Sequence, residues 1–405
     1  METNIITELL DLPEFFVKEI VKKSGKNILI LENRNYPVCP HCKQTYMFAV
    51  KDKRFQTIED LSAFGKRTFL RIHKRRINCE CGYKGTEYLE CMDEYQQQTN
   101  RYQKWIYAFC KRMTGLDVAR LFGISKHTVY RLDKKGIKKE LAEQEELKPK
   151  AISIAEISRK KGHRYMTIIS APILKKIIFI AKERKTSDIT PFFKKKGEKW
   201  CKNIAFATMD AWPAFRKAVK KYCKNAVICF DHFHLAQHFG KAIDKLRIAE
   251  TRKAAKNERE VYKGTRWLLL KNPENLKDDQ RTALADLLKI NENLYTAYLL
   301  RGEFRQIFKG ETAHSRLIRL SLWIKKSNAV NIPEIKKFVH KIIKWKQYIE
   351  NSLRYNYSNS FAEGINVKIR VIQRMAYGYK DFEYLKLKIF QQFNFRGVNS
   401  LFAIL

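Results

Sequence analysis

The spacing of apolar positions changes character several times along this chain, and each change marks a new kind of element. In RTFLRIHKRRINCECGY, Phe69, Arg71 and His73 alternate with Leu70, Ile72 and Lys74, the two-residue period of a strand with one face in a core. With a short helical lead-in ahead of them, residues 1–95 read as a small β unit around two cysteine pairs. Residues 96–148 switch to a helical period: WIYAFCKRM (Trp105 to Met113), a break at Gly115, then LDVARLFGISKHTVYRLDKKG (Leu116 to Gly136). The apolar Val118, Leu121 and Phe122 are expected to face Ile124, Val129 and Leu132 across a turn at Gly123, with Ser125 capping the second helix. From residue 149 to 234 strands return as AISIAEI, RYMTIIS and LKKIIFIAKER, followed by a helical stretch, NIAFATMD, the helix PAFRKAVKKYC and NAVICFDHFH. Residues 235–355 then read as helix with almost no β signal, and residues 356–405 carry SNSFAEGINVKIR and YGYKDFEYLKLKIF. No internal repeat is evident.

Three consecutive strands, then helix, strand, helix and strand, is the order of an RNase H-like fold, which places one acid midway along its first strand and another at the end of its fourth. Ala155 and Asp210 fall at those two places. The predicted architecture is α/β plus α: a metal-stapled ribbon, a helix-turn-helix, and an RNase H-like domain. Residues 235–355 interrupt that domain as a helical insertion, and residues 356–405 complete it.

Charge narrows the partner. The 405 residues hold 81 Lys+Arg against 42 Asp+Glu, a net +39, and so large an excess is tolerable in a compact fold when a polyanion neutralises it. Nucleic acid is the expected partner. No apolar run long enough to cross a bilayer is present, and METNIITELLDLPEFFVKEI is acidic and interrupted, unlike a signal peptide. An intracellular location is expected, where cysteines stay reduced and close pairs are metal ligands before they are disulfides.

CPHC (Cys39, Cys42) and CEC (Cys79, Cys81) supply two such pairs. Two thiolate corners close a tetrahedral structural Zn2+ site. The second pair is tighter than usual, which leaves His41, His73 or Cys91 as alternative ligands. Cys110, Cys201, Cys223 and Cys229 have no partner spacing and are expected in cores.

At the start of the second helix of the helix-turn-helix, Ser125, Lys126, His127, Thr128, Tyr130 and Arg131 are placed where a recognition helix meets base edges and phosphates. KGHRY (Lys161 to Tyr165) lies on the turn after the strand of Ala155, where Lys161 and Arg164 could meet phosphate. On a helix of roughly 359 to 375, Glu363 is accompanied in helical steps by Asn359, Asn366, Arg370 and Arg374. Its carboxylate can face the sheet while Arg370 lines DNA. Trp267, Trp323 and Trp345 sit among Lys and Arg in the helical insertion and are expected mainly in its core.

The strings ATMDAWPAF at Asp210 and SNSFAEGINVKIR at Glu363, with the cysteine pairs and the helix-turn-helix, resemble the DDE transposases of the ISL-three insertion-sequence family. The resemblance runs from CPHC to the C-terminal helix and includes KGHRY. It implies a zinc ribbon and helix-turn-helix that hold the inverted-repeat ends of the element. It also implies three carboxylates that bind catalytic Mg2+ or Mn2+ for cleavage and strand transfer, because two hard cations activate the attacking oxygen and stabilise the leaving one. Asp210 and Glu363 are two of them, while Ala155 stands where the family has the first Asp, and a methyl group coordinates nothing. Glu156 is adjacent but should point to the other face of the strand. Asp231 and His234, in DHFH, are expected to orient the site or the scissile phosphate. Double-stranded DNA is the implied partner, as transposon ends and target. A homodimer or larger synaptic complex is expected because two ends are joined together, in a bacterial, nucleoid-associated cytoplasmic setting. The activity is expected to be impaired at Ala155. The competing expectation is a non-catalytic, transposase-derived DNA-binding protein or transposition repressor.

Overall fold

The computed structural model describes residues 2–45, 50–160, 164–256, 258–355 and 360–395. They divide into two units, residues 1–144 with 375–405, and residues 145–374. The first unit begins with α1 (Glu2–Leu10), followed by β1 (Phe15–Lys23), β2 (Lys26–Asn33), β3 (Val50–Ala63), β4 (Lys66–Asn78) and the short β5 (Lys84–Thr86). The sheet runs β1-β2-β4-β3, with β5 paired to β4 and β2 parallel to β4. Both hairpins close through two residues with left-handed backbones, Ser24-Gly25 (φ 44° and 74°) and Phe64-Gly65 (φ 53° and 71°), the turn whose twist matches the flanking strands. Leu70 and Ile72 are buried as the alternation predicts, with Phe15, Leu31 and Ile58 beside them. The lead-in is helical only over α1. Residues 15–33 form a hairpin instead, and the bulge between Val17 and Glu19 shifts the apolar alternation of β1 by one step, which hides it from a strand pattern.

Three helices follow: α2 (Asn100–Cys110), α3 (Gly115–Phe122) and α4 (Lys126–Ala142). Thr99, Thr114 and Ser125 cap them, each accepting a backbone N–H of the first turn, and Gly123 ends α3 at φ 61°. Val118, Val129 and Leu132 meet in the core with Tyr102 and Ile106, and Phe122 and Ile124 pack against it. Leu121, expected in that core, is 59% exposed, and Ala119 is buried in its stead.

In the second unit, β6 (Ala151–Lys160), β7 (Arg164–Ala171) and β8 (Lys176–Ala181) form an antiparallel meander. After it come α5 (Thr186–Lys202), β9 (Phe206–Met209), α6 (Pro213–Tyr222) and β10 (Val227–Phe230). The sheet order is β10-β9-β6-β7-β8, with β9 parallel to both β6 and β10, the expected RNase H-like arrangement. Ile152 and Ile154 of β6 and Ala207 and Met209 of β9 turn one face of the sheet into a core with Phe192, Phe193 and Phe215 of α5 and α6.

The helical insertion starts within α7 (His232–Lys253) and runs through α8 (Arg266–Leu270), α9 (Asp278–Ile290), α10 (Glu292–Ile307), α11 (Ala313–Ala329) and α12 (Pro333–Tyr355). It has its own core, in which Phe239 stacks on Phe338 at 4.6 Å and the Trp323 indole donates to the Leu300 carbonyl. Of the three tryptophans, Trp323 is buried, Trp345 is half-buried and Trp267 is 63% exposed. Asn351 and Ser352 of α12 donate to the carbonyls of Ile228 and Phe230 at 3.0 and 2.7 Å, which ties the insertion back to β10. Next, α13 (Ser360–Met375) buries Ala362, Ile365, Ile369 and Ile372, the i, i+3, i+7 stripe of a docked helix. Its Gln373 donates to the Arg159 carbonyl of β6 at 3.3 Å.

The C-terminal segment departs from the expected arrangement. The sequence assigns residues 356–405 as the last part of the RNase H-like domain. Instead the chain divides at residue 375, and α14 (Phe382–Asn394) packs with α4 in the first unit. A buried polar network causes this. The Asp133 carboxylate of α4 accepts from the Tyr384 hydroxyl at 2.6 Å, from Lys388 Nζ at 3.0 Å and from Gln391 Nε2 at 3.0 Å. Lys388 also donates to the Cys110 carbonyl and to the Gln391 side chain. A carboxylate with no exposure needs every partner supplied internally, and Lys388 of α14 supplies the cation. Replacing Lys388→Met is expected to destabilise the first unit by about 3–5 kcal/mol. Hydrogen exchange should show the loss as faster exchange in α4 and α14, with Asp133→Asn in the same background recovering part of the protection.

Candidate functional site

Two groups of metal-ligating side chains come together among the described residues, one in each unit. In the first unit, Cys39 and Cys42 bracket a tight turn in which Lys43 donates its N–H to the Cys39 carbonyl at 2.9 Å, and Cys79 and Cys81 occupy the turn between β4 and β5. The Cys81 N–H donates to Cys79 Sγ at 3.4 Å, the bond that orients a thiolate at a metal knuckle. Across the corners, Cys39 Sγ lies 3.7 Å from Cys81 Sγ and Cys42 Sγ 3.4 Å from Cys79 Sγ, and all four sulfurs lie within 4.8 Å of one another. A tetrahedron with Zn–S bonds of about 2.3 Å has edges of about 3.8 Å. The four sulfurs therefore fit a structural zinc ion.

The short spacing of the second pair does not call for a substitute ligand. His41 is exposed, the His73 ring packs on Phe55 at 3.7 Å, and Cys91 lies in the β-sheet core, where burial pushes its thiol well up. Chelation at neutral pH is expected to release one zinc per chain, read by metal analysis. Proteolysis should then cut within residues 35–91 while the second unit resists.

The second group forms at the ends of β9 and β10. The β6–β9 register pairs Ile154 with Met209, and one step further sets Ala155 level with Asp210. Asp210 is 5% exposed, and its Oδ2 accepts the Glu156 N–H at 3.2 Å. Its Oδ1 lies 2.8 Å from His234 Nε2 without the alignment of a hydrogen bond. Asp231 caps α7, accepting the Phe233 N–H at 3.0 Å, and its Oδ2 lies 4.0 Å from the same imidazole nitrogen. Burial raises the Asp210 carboxyl above the usual carboxylate range, and His234 and the Glu156 N–H pull it back only in part. Burial opposes protonation of His234, yet Asp210 first, then Asp231 and Glu156, outweigh it and hold the imidazole above its ordinary value.

Asp210, Asp231 and His234 thus offer ligand atoms within 4.8 Å of one another. The carboxylate oxygen lacking an aligned donor is what a cation site in this cluster would use. Two carboxylates with an imidazole suit a divalent ion.

The remaining expected site residues divide. Ala155 is 6% exposed and contributes no ligand. Glu156 stands on the strand face shared with Ile152 and Ile154, and its carboxylate pairs with Arg184 at 3.0 Å. Glu363, in the first turn of α13, is exposed and is not among the groups that converge on His234. Arg370 is exposed on the same helix. Lys161 lies outside the described residues, and Arg164 opens β7.

In the helix-turn-helix, Lys126, His127 and Arg131 are exposed, Thr128 is half-buried, and Ser125 accepts the His127 N–H at 3.2 Å. Tyr130, expected to point outward, packs its ring 5.4 Å from Tyr384 of α14. Arg131 donates to Gln96 and Gln98. Sequence reasoning missed Arg184, whose guanidinium lies over the rings of Trp212 at 4.2 Å and Tyr165 at 4.6 Å. The signal was present in the basic run AKERK directly after a strand and in the Trp of TMDAWP.

Comparison with known proteins places these sites in one family. Residues 152–389 match a family model described as "Transposase", residues 35–81 one described as "zinc-finger of transposase IS204/IS1001/IS1096/IS1165", and residues 89–136 one described as "Helix-turn-helix domain of transposase family ISL3". The chain is 29% identical over 352 residues, 86% of each sequence, to the transposase for insertion sequence element IS1001 of Bordetella parapertussis. It is 28% identical over 254 residues, 56% of each sequence, to the transposase for insertion sequence element IS1557 of Mycobacterium tuberculosis. Both sites lie within matched segments, and among the described residues no helix is long and apolar enough to cross a membrane. With a sulfur tetrahedron, a capped helix-turn-helix and an RNase H-like sheet each matched in order along its length, the chain belongs to the ISL3 family of transposases.

Proposed function

We propose that this chain binds the inverted-repeat ends of an insertion sequence and carries the fold for divalent-metal-dependent DNA cleavage and strand transfer, with the chemistry impaired at Ala155. The observation that carries this reading is the β6–β9 register, which sets Ala155 level with the buried Asp210 carboxylate. Asp210 would hold Mg2+ or Mn2+ with Asp231 and His234 beside it, and Glu363 of α13 is assigned as the further ligand from the family string around it. A bound divalent ion supplies charge stabilisation to the attacking and leaving oxygens of a phosphodiester. The chain's own groups do the rest. The Glu156 N–H fixes one Asp210 oxygen, Asp231 is held by the start of α7, and His234 keeps the two acids from repelling each other apart. Ala155 adds neither charge nor ligand, and loss of one preorganised ligand costs on the order of a hundredfold or more in rate.

One observation favours the second reading, a transposase-derived DNA-binding protein without catalysis: the Asp210–His234 contact at 2.8 Å balances the buried charge without a cation. Ala155→Asp separates the two. On end DNA with Mg2+ or Mn2+, the substitution is expected to raise nicking by at least about a hundredfold, and Ala155→Asp with Asp210→Asn to abolish it. Undiminished cleavage by the unsubstituted chain would overturn the assignment of the first acid, and absence of rescue with intact binding would favour the binder.

End binding is assigned to the first unit through Lys126, His127 and Arg131, with a homodimer or larger assembly bringing two ends together. Lys126→Ala is expected to weaken binding to all sequences alike and to lower the slope of log affinity against log salt by about 1, measured by anisotropy titrations.

A further inference from the structure

A cleft of about 930 Å³ opens in the second unit at the carboxyl end of β6 and β8, lined by Arg159, Lys182, Arg184, Lys185, Lys217, Glu183, Tyr165 and Trp212 among others. Its floor is built rather than incidental. Arg184 pairs with Glu156 at 3.0 Å, accepts the Trp212 indole N–H on its carbonyl at 3.1 Å, and lies over both the Trp212 and Tyr165 rings. Around it, Lys182 and Lys217 are exposed, while Lys185 pairs with Glu183 at 2.8 Å. Five cations face one acid of the lining, so the cleft favours an anion. The helices α5 and α6 begin at its wall, at Thr186 and Pro213, and add their partial positive ends.

We infer that this cleft binds an unpaired DNA strand next to the reacting end, its backbone on Lys182 and Lys217 and a base stacked on the Tyr165–Arg184–Trp212 layer. The inference rests on the DNA-transposition reading above. Three features point to a single strand rather than a duplex. The volume suits a nucleotide or two and not a double helix. Aromatic faces among cations are the pattern of sequence-tolerant single-strand grooves, because only an unpaired base can leave its stack to meet them. Position is the third: Trp212 follows Asp210 by two residues, its N–H donating to the Asp210 carbonyl. A strand held here runs away from the acid cluster. Glu156 sits beneath the layer, on the strand face opposite Ala155, and so serves as a positioning residue for Arg184.

The test uses the full chain without added Mg2+ or Mn2+ and three probes: a blunt end duplex, the same duplex with a single-stranded tail of about six nucleotides, and free oligothymidylate. The unsubstituted chain is expected to bind the tailed duplex about tenfold more tightly than the blunt one. Lys182→Ala with Lys217→Ala, and separately Tyr165→Ala, should erase that gain and weaken oligothymidylate binding about tenfold, with blunt-duplex affinity held within about twofold. Glu156→Gln should reduce the gain by loosening Arg184. A tail gain absent from the unsubstituted chain, or one that survives the substitutions, overturns the inference. Competition by pyrophosphate as effective as oligothymidylate also overturns it, reducing the cleft to an anion site. Failure to bind the blunt end duplex while oligothymidylate still binds through Lys182 and Lys217 would instead sink the end-binding reading and leave the cleft assignment standing.

Discussion

The parallel pairing of β6 with β9 is the constraint on which the second unit depends. It carries Ile152, Ile154, Ala207 and Met209 into one core and, one residue past the last paired position, brings position 155 beside Asp210. A single-residue slip would exchange faces and put Glu156 beside Asp210 with Ala155 in the core. The aliphatic side chains fix the register, because a slip would expose a whole face of the sheet. The burial that holds the register also desolvates Asp210, and that desolvation raises its carboxyl, with His234 pulling it back in part. Packing and site electrostatics therefore have one origin.

The first unit rests on polar rather than apolar staples. The four thiolates hold the ribbon where few apolar side chains gather: among the described residues Ile77 is buried there with Cys39 and Cys79. The helix-turn-helix carries a second staple, Asp133, buried without exposure and satisfied by Tyr384, Lys388 and Gln391. Those partners come from the other end of the chain. A recognition helix whose inner face binds the C-terminal helix cannot also send Tyr130 outward, and its ring is taken up in that packing. The outward set shrinks to Lys126, His127 and Arg131, and Gln96 and Gln98 already steady the arginine.

Glu156 illustrates how one backbone serves two surfaces. Its N–H fixes Asp210 on one side of β6, and its carboxylate fixes Arg184 on the other, where the basic cleft opens. The acid cluster and the cation-lined cleft lie side by side because successive residues of a strand address opposite faces. Charges of opposite sign can then sit within one sheet end without neutralising each other.

Local sequence was enough for the elements with strong local codes. Threonine and serine caps, Gly123, the alternation of β4 and the strand–helix order of residues 149–234 depend on neighbours a few residues away, and all were legible. The cysteine pairs announced zinc through spacing alone, and the strings at Asp210 and Glu363 pointed to the family through their resemblance to it. What the sequence could not decide depended on distant partners. Whether CEC needed a substitute ligand was settled by the turn between β4 and β5, which brings all four sulfurs together. The bulge in β1 erased the period that would have revealed its hairpin. The division at residue 375 was invisible because it turns on one buried charge finding its cation more than 250 positions away. The cleft drew its lining from β6, β7, α6 and the segment after β8, stretches that share no local pattern. Sequence by itself determined the family and the order of its matched segments, because those reside in residue identity. Tertiary structure alone decided which charges face one another, since burial and long-range contact set a side chain's partners and no short window of residues records them.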